Sequence, residues 1–220
     1  MIKFYNDPTN NDQWVVDLFR DKKQGFFLEA GALDGINGSS TYTLEKYFGW
    51  SGILVEPGTP FNALQLNRPK SICKNLCLTG ENGTVVFCDS QNPGYSGIKQ
   101  MLIQADREHF NRNGKRKNEW EQSGYSEKTI EAITLYDLLK STNAPHVIDY
   151  IGLDLEGAEY DVLKNFPFNE YTILALSIEG NSCNELIISK GYRIVKNPFN
   201  TQAPWEYYFL HQSFDPGSIR

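Results

Sequence analysis

The residues from Gly25 to Gly35 constrain most strongly what this chain can fold into. They form an apolar run that ends in Glu29 and then breaks at glycines, and about one helix later a second apolar run, 52–55, ends in Glu56. This order predicts a strand, a ligand loop, a helix and a second strand. Glycines let the backbone approach a ligand, and an acidic residue placed like Glu56 holds both ribose hydroxyls in such folds. The segment therefore predicts half of a nucleoside-binding site.

The glycine pattern of this loop argues against a ligand that carries phosphates. It lacks the full Gly-x-Gly-x-x-Gly fingerprint of dinucleotide-binding proteins, and the chain contains no Gly-Lys-Ser or Gly-Lys-Thr element of a P-loop. A ligand with a ribose and no phosphate, such as S-adenosylmethionine, fits better. The alternative is that the glycines only form a turn and that Glu56 lies on the surface.

Length and composition predict one α/β domain over residues 1–220. The chain has 40% hydrophobic and 22% charged residues, an ordinary balance for a globular protein. Its net charge of −6 argues against nucleic acid as a partner, and we interpret the basic residues between 112 and 117 as a solvated loop. No apolar run reaches the ~18 residues of a membrane span, and the N-terminus lacks a signal sequence. We therefore expect a soluble, cytoplasmic protein without a membrane partner.

Four cysteines lack the paired spacing of a zinc site. They are Cys73, Cys77, Cys88 and Cys183, and most of them lie in apolar, strand-like runs. This placement predicts buried free thiols.

Strand-like and helix-like segments alternate along most of the chain, which is typical of a mostly parallel sheet covered by helices on both faces. The predicted helices include 12–22 and 40–48, and the predicted strands include 71–78, 147–154 and 172–179. The last two strands, 192–196 and 205–211, are too close in sequence for a crossover helix, so we expect an antiparallel pair at the sheet edge. That ending favours the class I methyltransferase sheet, a Rossmann-like fold, over a dinucleotide dehydrogenase.

The stretch between residues 89 and 131 is polar and lacks a clear period. It predicts a long loop, and loops of this length in compact domains are usually functional. We therefore expect residues 90–131 to form a substrate-lid insertion.

Acidic residues end the four strands with the clearest apolar patterns. These are Glu29, Glu56, Asp154 and Glu179. Because ligands of open α/β sheets bind outside the carboxyl ends of the strands, we expect the four carboxylates to face one ligand. An acidic edge suits a cation, and S-adenosylmethionine carries an ammonium and a sulfonium.

Four segments, 25–35, 54–57, 133–139 and 149–159, resemble the FkbM family of S-adenosylmethionine-dependent O-methyltransferases. The Asp-x-Glu-Gly-x-Glu element that begins at Asp154 is the most specific of them. The resemblance implies a class I methyltransferase fold and transfer of a methyl group to a hydroxyl, commonly on a sugar or a polyketide.

The resemblance also implies site residues. The cofactor site would include Glu29, Gly31, Ala32, Asp34, Gly35, Ser40, Glu56, Pro57, Cys77, Asp89, Ser90 and Asp154. Candidates for the base that removes the acceptor's proton are Asp154, Glu156 and Glu179, with His109 or Tyr95 of the long loop as further candidates.

Two positions depart from the family pattern. Gly152 stands where many members have lysine, and Leu33 stands where many have asparagine. If the lysine serves the acceptor alcohol, that role is vacant in this chain. The departures leave open a non-catalytic interaction module that keeps the fold.

Two further alternatives concern ligands. Asp154, Glu179 and Asn181 offer the oxygen ligands that Mg²⁺ prefers, so a divalent metal is one of them. A nucleotide-sugar or NAD-dependent enzyme that uses the same Glu56 is the other. The acceptor is expected to be a small molecule or a glycan, since the aromatic and polar stretch 94–125 is compatible with carbohydrate.

Overall fold

The computed structural model describes residues 1–20, 22–113 and 118–216. The side chain of His109 and most of the basic cluster between 112 and 117 lie outside the described residues.

The first part of the chain alternates helices and strands as expected. Its elements are α1 (Asn11–Leu18), β1 (Phe26–Ala30), α2 (Tyr42–Phe48), β2 (Ser51–Val55), α3 (Phe61–Asn67) and β3 (Ile72–Lys74). The middle part contains β4 (Cys77–Thr79), β5 (Gly83–Ser90), β6 (Gly97–Ile98), α4 (Lys99–Asn113), α5 (Glu119–Gln122) and β7 (Tyr125–Thr134). The last part contains α6 (Leu135–Ser141), β8 (Val147–Leu153), α7 (Glu159–Lys164), β9 (Thr172–Glu179), α8 (Asn184–Ser189), β10 (Tyr192–Val195) and β11 (Glu206–His211).

A seven-stranded sheet forms the centre of the fold, in the order β10-β11-β9-β8-β1-β2-β3. β11 runs antiparallel to both of its neighbours, and the other described pairs are parallel. Leu28 in β1 lies between Ile53 of β2 and Ile151 of β8. The predicted class I methyltransferase sheet with an antiparallel terminal strand is confirmed.

Helices cover both faces of this sheet, which explains why its strands are apolar along nearly their whole length. Phe27 packs in a cluster with residues of α1, α2 and α3, whereas its neighbour Leu28 packs on the other face with residues of α6, α7 and α8. Both side chains are fully buried. Because adjacent residues of a strand point to opposite faces, β1 anchors two cores and fixes where the loop after it begins.

A second sheet, in the order β4-β7-β5-β6, lies beside the first. The predicted strand 71–78 was wrong as a single element, because Ile72–Lys74 belongs to the central sheet and Cys77–Thr79 to the second. Between them the Asn75 side chain donates to the backbone oxygen of Glu56 at 2.8 Å, so the chain leaves the central sheet there.

The predicted loop between residues 89 and 131 was also wrong, since this stretch contains β6, α4, α5 and most of β7. β7 pairs with β5 from Tyr125 to Ala132. Only Ile130 and Ala132 of this strand are buried, and all of its other residues are partly or fully exposed. The apolar pattern is therefore too short to predict the strand. Helix α1 also ends at Leu18, before its predicted end at residue 22.

The cysteines are free thiols, and Cys77, Cys88 and Cys183 are buried. Among the described residues, no helix combines the length and the apolar character that a bilayer crossing requires.

Candidate active site

A cleft opens at the carboxyl ends of β1, β2 and β8, as expected for an open parallel sheet. It encloses about 620 Å³, open mouth included, which suits one ligand of cofactor size. Gly31, Glu56 and Asp154 contribute to its sheet side. Its apolar wall consists of Val55, Pro57, Leu76, Cys77, Leu78, Phe87 and Ile98.

Glu56 is held at this cleft by two backbone groups. Its carboxylate accepts hydrogen bonds from the N–H of Leu33 at 2.9 Å and from the N–H of Gly58 at 2.6 Å. Each carboxylate oxygen can accept a further hydrogen bond, so the side chain is able to bind a diol. Burial raises the pKa of Glu56 to about 7, although the two backbone hydrogen bonds favour its charged form.

Leu33 contributes through its backbone. Its φ of 48° lies in the left-handed region, which asparagine tolerates better than leucine. The N–H that reaches Glu56 does not depend on the side chain, so the departure from asparagine leaves this contact in place.

The apolar wall beside Glu56 suits the flat face of a purine. Burial raises the pKa of Cys77 to about 12, so its thiol is neutral and acts as a small apolar group. Asp89 and Ser90 lie outside this cleft and line a neighbouring depression. There Asp89 accepts from Lys128 Nζ at 2.8 Å and from the N–H of Thr59 at 3.2 Å.

Glu29 is buried, and its carboxylate binds the turn before α2. It accepts from the N–H of Ser40 and the hydroxyl of Ser39, both at 2.8 Å, and from the hydroxyl of Thr41. Burial raises its pKa, and the nearby Arg68 opposes that effect. Glu29 therefore shapes the loop around the cofactor cleft by holding its far end.

The other predicted loop residues have structural roles as well. Ala32 is buried in the core, and Asp34 Oδ1 accepts from the N–H groups of Ile36 and Asn37 at 2.9 and 2.8 Å. Gly31 allows the close approach of β8, because a Cβ there would lie 2.2 Å from the backbone oxygen of Asp154. Of the predicted cofactor residues, the cleft is lined by Gly31, Glu56, Pro57, Cys77 and Asp154.

A second, polar pocket adjoins the cleft and shares Gly31 and Asp154 with it. It encloses about 350 Å³, open mouth included, and its lining also contains Glu29, Ser40, Asn6, Thr9, Asn11, Gly38, Ser177 and Glu206. Sequence reasoning missed Asn11 and Glu206. The sequence signal for Glu206 was the predicted antiparallel direction of the last strand. An antiparallel strand begins at the edge of the sheet where the parallel strands end, and Glu206 is its first residue.

Three carboxylates gather where the cleft meets the ends of β8 and β9. One oxygen from each of Asp154, Glu156 and Glu179 lies within 4.8 Å of the others. Asp154 is surrounded by protein atoms although it reaches solvent, and this burial, with the charges of Glu179 and Glu156, raises its pKa well above the usual range. The predicted catalytic candidates are thus brought together.

The backbone at this cluster is unusual. Glu156 has a φ of 53°, a left-handed conformation that costs a non-glycine residue free energy and that often occurs at functional sites. Glu159, by contrast, is the first residue of α7, and its carboxylate accepts a hydrogen bond from the backbone N–H of Leu155 at 2.7 Å. This contact gives Glu159 a structural role.

Gly152 leaves space that neighbouring side chains occupy. A Cβ there would lie 2.9 Å from the hydroxyl of Tyr150 and 3.0 Å from Oγ of Ser40. The Tyr150 hydroxyl in turn lies 2.7 Å from Oγ of Ser177. A lysine at this position would displace these groups, so this chain uses the space differently from family members with lysine.

The sequence model described as the methyltransferase FkbM domain matches residues 29–187. The chain belongs to the FkbM methyltransferase family. It is a methyltransferase that uses S-adenosylmethionine. The matched region contains Glu56, Asp154, Glu156 and Glu179, whereas Asn11 and Glu206 lie outside it.

Several solved structures resemble this FkbM methyltransferase at low identity. "Human methyltransferase 10 domain containing protein" is 13% identical with a TM-score of 0.46, and the match covers 94% of this chain and 81% of that one. "METTL16 MTase domain (crystal form 2)" is also 13% identical with a TM-score of 0.46, over 94% and 67% of the two chains. A search of curated protein sequences found no match.

Proposed function

We propose that this methyltransferase transfers a methyl group to a hydroxyl of an uncharged sugar or glycan. The observation that carries the proposal is the pairing of an apolar cleft around Glu56 with an acidic polar pocket on the other side of Gly31 and Asp154. Within the described part of the chain, no lysine, arginine or histidine lines either space. A phosphorylated or carboxylated acceptor would meet repulsion there.

The cofactor fits the residues present. Glu56 would hold the ribose, the apolar wall would hold the adenine, and the carboxylates near Asp154 would bind the cationic end. S-adenosylmethionine supplies a methyl group that is already activated for displacement. The diphosphates of NAD or of a nucleotide sugar would find acids where they need cations, which argues against both alternatives.

The protein's main tasks are alignment and proton removal, since methyl transfer from sulfur needs little help with its leaving group. Asp154 lies at the junction of the cleft and the polar pocket, and one carboxylate oxygen each of Glu156 and Glu179 lies within 4.8 Å of it. Their negative charges stabilise a cation at this junction and can accept hydrogen bonds from acceptor hydroxyls.

The inserted residues 90–131 support a glycan acceptor. Pro93, Gly94 and Ile98 of this segment line the cleft, so the segment forms part of its wall. Tyr95 and Tyr125 on the same segment are exposed, and aromatic rings of this kind stack on sugar faces. We propose that the segment serves as the substrate lid.

The experiment has two stages. Calorimetric titration should show binding of S-adenosylhomocysteine and no binding of NAD or nucleotide sugars. A screen of neutral glycans with isotopically labelled methyl donor should then show transfer to a hydroxyl. Binding without transfer to any acceptor would support the interaction module instead, and transfer only to amines or to phosphorylated acceptors would contradict the proposed substrate.

A further inference from the structure

Glu206 lies in the polar pocket but outside the region that the FkbM family model matches. We propose that Glu206 takes the proton of the acceptor hydroxyl during methyl transfer and that Asn11 positions it. This inference rests on the proposed transfer to a hydroxyl.

The direction of β11 brings Glu206 to the active edge. Glu206 is the first residue of this antiparallel strand and pairs with Glu179, the last residue of β9. Together with Gly31 and Asp154 it lines the polar pocket, and these two residues also border the cofactor cleft. Glu206 is therefore placed beside the junction through which an acceptor in the pocket would approach the methyl donor.

Asn11 of α1 fixes one oxygen of Glu206. Its Nδ2 donates to Oε1 of Glu206 at 2.8 Å and to Oγ of Ser177 at 3.1 Å. The hydroxyl of Tyr208 donates to Oδ1 of Asn11 at 2.8 Å, which sets the orientation of the amide. The side chain of Asn200 in turn donates to the Tyr208 hydroxyl at 2.9 Å. Such a network holds a carboxylate in one orientation, as a catalytic base requires.

The other carboxylates around the two spaces are less suited to this task. Glu56 lines the cofactor cleft and not the polar pocket, and Glu29, which does line that pocket, accepts three hydrogen bonds from the turn before α2. Asp154, Glu156 and Glu179 form the cluster that we assign to the cation of the methyl donor.

The titration of Glu206 suits a base near neutral pH. Burial raises its pKa to about 7, and the negative charge of Glu179 adds to this, while hydrogen bonds from Asn11 and Ser177 oppose it. The titratable groups that face it are Glu179 on β9, Tyr150 on β8, Asp154 just after β8, Glu29 on β1 and Tyr208 on β11. A base with a pKa close to the working pH combines an available charged form with proton affinity.

The proposed step is balanced. The acceptor oxygen forms a bond to the methyl carbon as the carbon–sulfur bond breaks, and the electron pair of that bond stays on sulfur. The hydroxyl proton moves to the carboxylate of Glu206. The products are the methyl ether and S-adenosylhomocysteine, and Glu206 then releases its proton to water.

Glu206→Gln tests the inference with little change in shape. We expect kcat to fall by about 10²-fold or more, the affinity for S-adenosylhomocysteine to stay within about twofold, and the loss of rate below pH ~7 to disappear. The matched control is Glu185→Gln, which removes an exposed carboxylate from α8 and should leave kcat unchanged.

Asn11→Ala tests the positioning role. Losing a donor to the charged carboxylate raises the pKa of Glu206, so the rate should begin to fall at a higher pH than in the wild type. A wild-type kcat in Glu206→Gln, or a cofactor affinity that falls as much as kcat, would overturn the inference alone. A wild-type enzyme that binds S-adenosylhomocysteine but methylates no hydroxyl would overturn the proposed function, and the inference with it.

Discussion

The guanidinium of Arg68 donates to the backbone oxygen of Gly35 at 3.0 Å, although the Arg68 side chain is completely buried. It also donates to the hydroxyls of Ser39 and Thr41 at 3.2 and 3.1 Å, and to the carboxylate of Glu45 at 2.9 Å. One side chain thus links the end of α3 to the middle and to the far end of the loop that follows β1.

Arg68→Met should therefore weaken both the fold and cofactor binding. It breaks the ion pair with Glu45 and leaves the buried carboxylate of Glu29 without its cationic neighbour. Breaking a buried pair costs about 3–5 kcal/mol of unfolding free energy. Urea unfolding measures this loss, and calorimetry should show weaker binding of S-adenosylhomocysteine. The control Arg193→Met removes an exposed arginine of β10 and should change stability by less than about 0.5 kcal/mol. Equal stability of the two variants would contradict the role of Arg68.

Glu56→Gln tests the ribose contact. The amide cannot accept from the N–H groups of both Leu33 and Gly58, and it lacks the charge that strengthens bonds to a diol. We expect a loss of about 1.5–3 kcal/mol in binding S-adenosylhomocysteine by calorimetry. The affinity for free adenine, which has no ribose, should stay the same. An equal loss for adenine would show that the variant disturbs the whole cleft.

Stability of the ligand-free protein should fall as the pH rises from about 4.5 to about 7. Burial raises the pKa of both Glu56 and Glu159 from 4.5 to about 7. In this window the folded chain holds protons that the unfolded chain has released, so unfolding releases protons and becomes easier at higher pH. Thermal unfolding at pH 5, 6 and 7 measures the trend, and Glu159→Gln should reduce it. A melting temperature that increases over this range would be inconsistent with both shifts.

Gly152→Ala should destabilise the protein by about 1–3 kcal/mol, because the added methyl group meets the Tyr150 and Ser40 hydroxyls. The cost should be smaller in a Tyr150→Phe background, where one of the two hydroxyls is absent. Gly94→Ala is a suitable control, since its nearest neighbour would be 3.7 Å away. Identical costs in the two backgrounds would show that the Tyr150 hydroxyl is not the obstacle.

Dialysis against a chelator should leave methyl transfer unchanged. A cationic methyl donor accounts for the negative charge of the cluster of Asp154, Glu156 and Glu179, so no metal is needed to balance it. The measurement is the initial rate before and after dialysis. Loss of activity that Mg²⁺ restores would instead assign the cluster to a metal.

The central sheet was predictable because its strands are apolar on both faces. The run around Leu28 and the run ending at Asp154 could be identified from composition alone, and their order sets the position of the cleft. A ligand role was predicted for Glu56 because it directly follows an apolar strand, and the end of that strand is evident from the sequence.

Other parts depended on contacts that the sequence does not show. Glu29 ends a strand like Glu56, but the hydroxyls of Ser39 and Thr41 occupy it, and only the folded loop reveals this. β7 buries only Ile130 and Ala132, so its pattern was too short to detect. Glu206 begins a strand whose antiparallel direction was predicted, but its place beside Glu179 follows from the pairing of β11 with β9.

β7 continues directly into α6, whose first residue, Leu135, is fully buried in the main core. β4 likewise follows β3 after two residues. The second sheet is therefore joined to the main core at both β4 and β7. Because Phe87 and Ile98 of this sheet also line the cofactor cleft, a change in the sheet that alters acceptor binding should alter cofactor affinity as well.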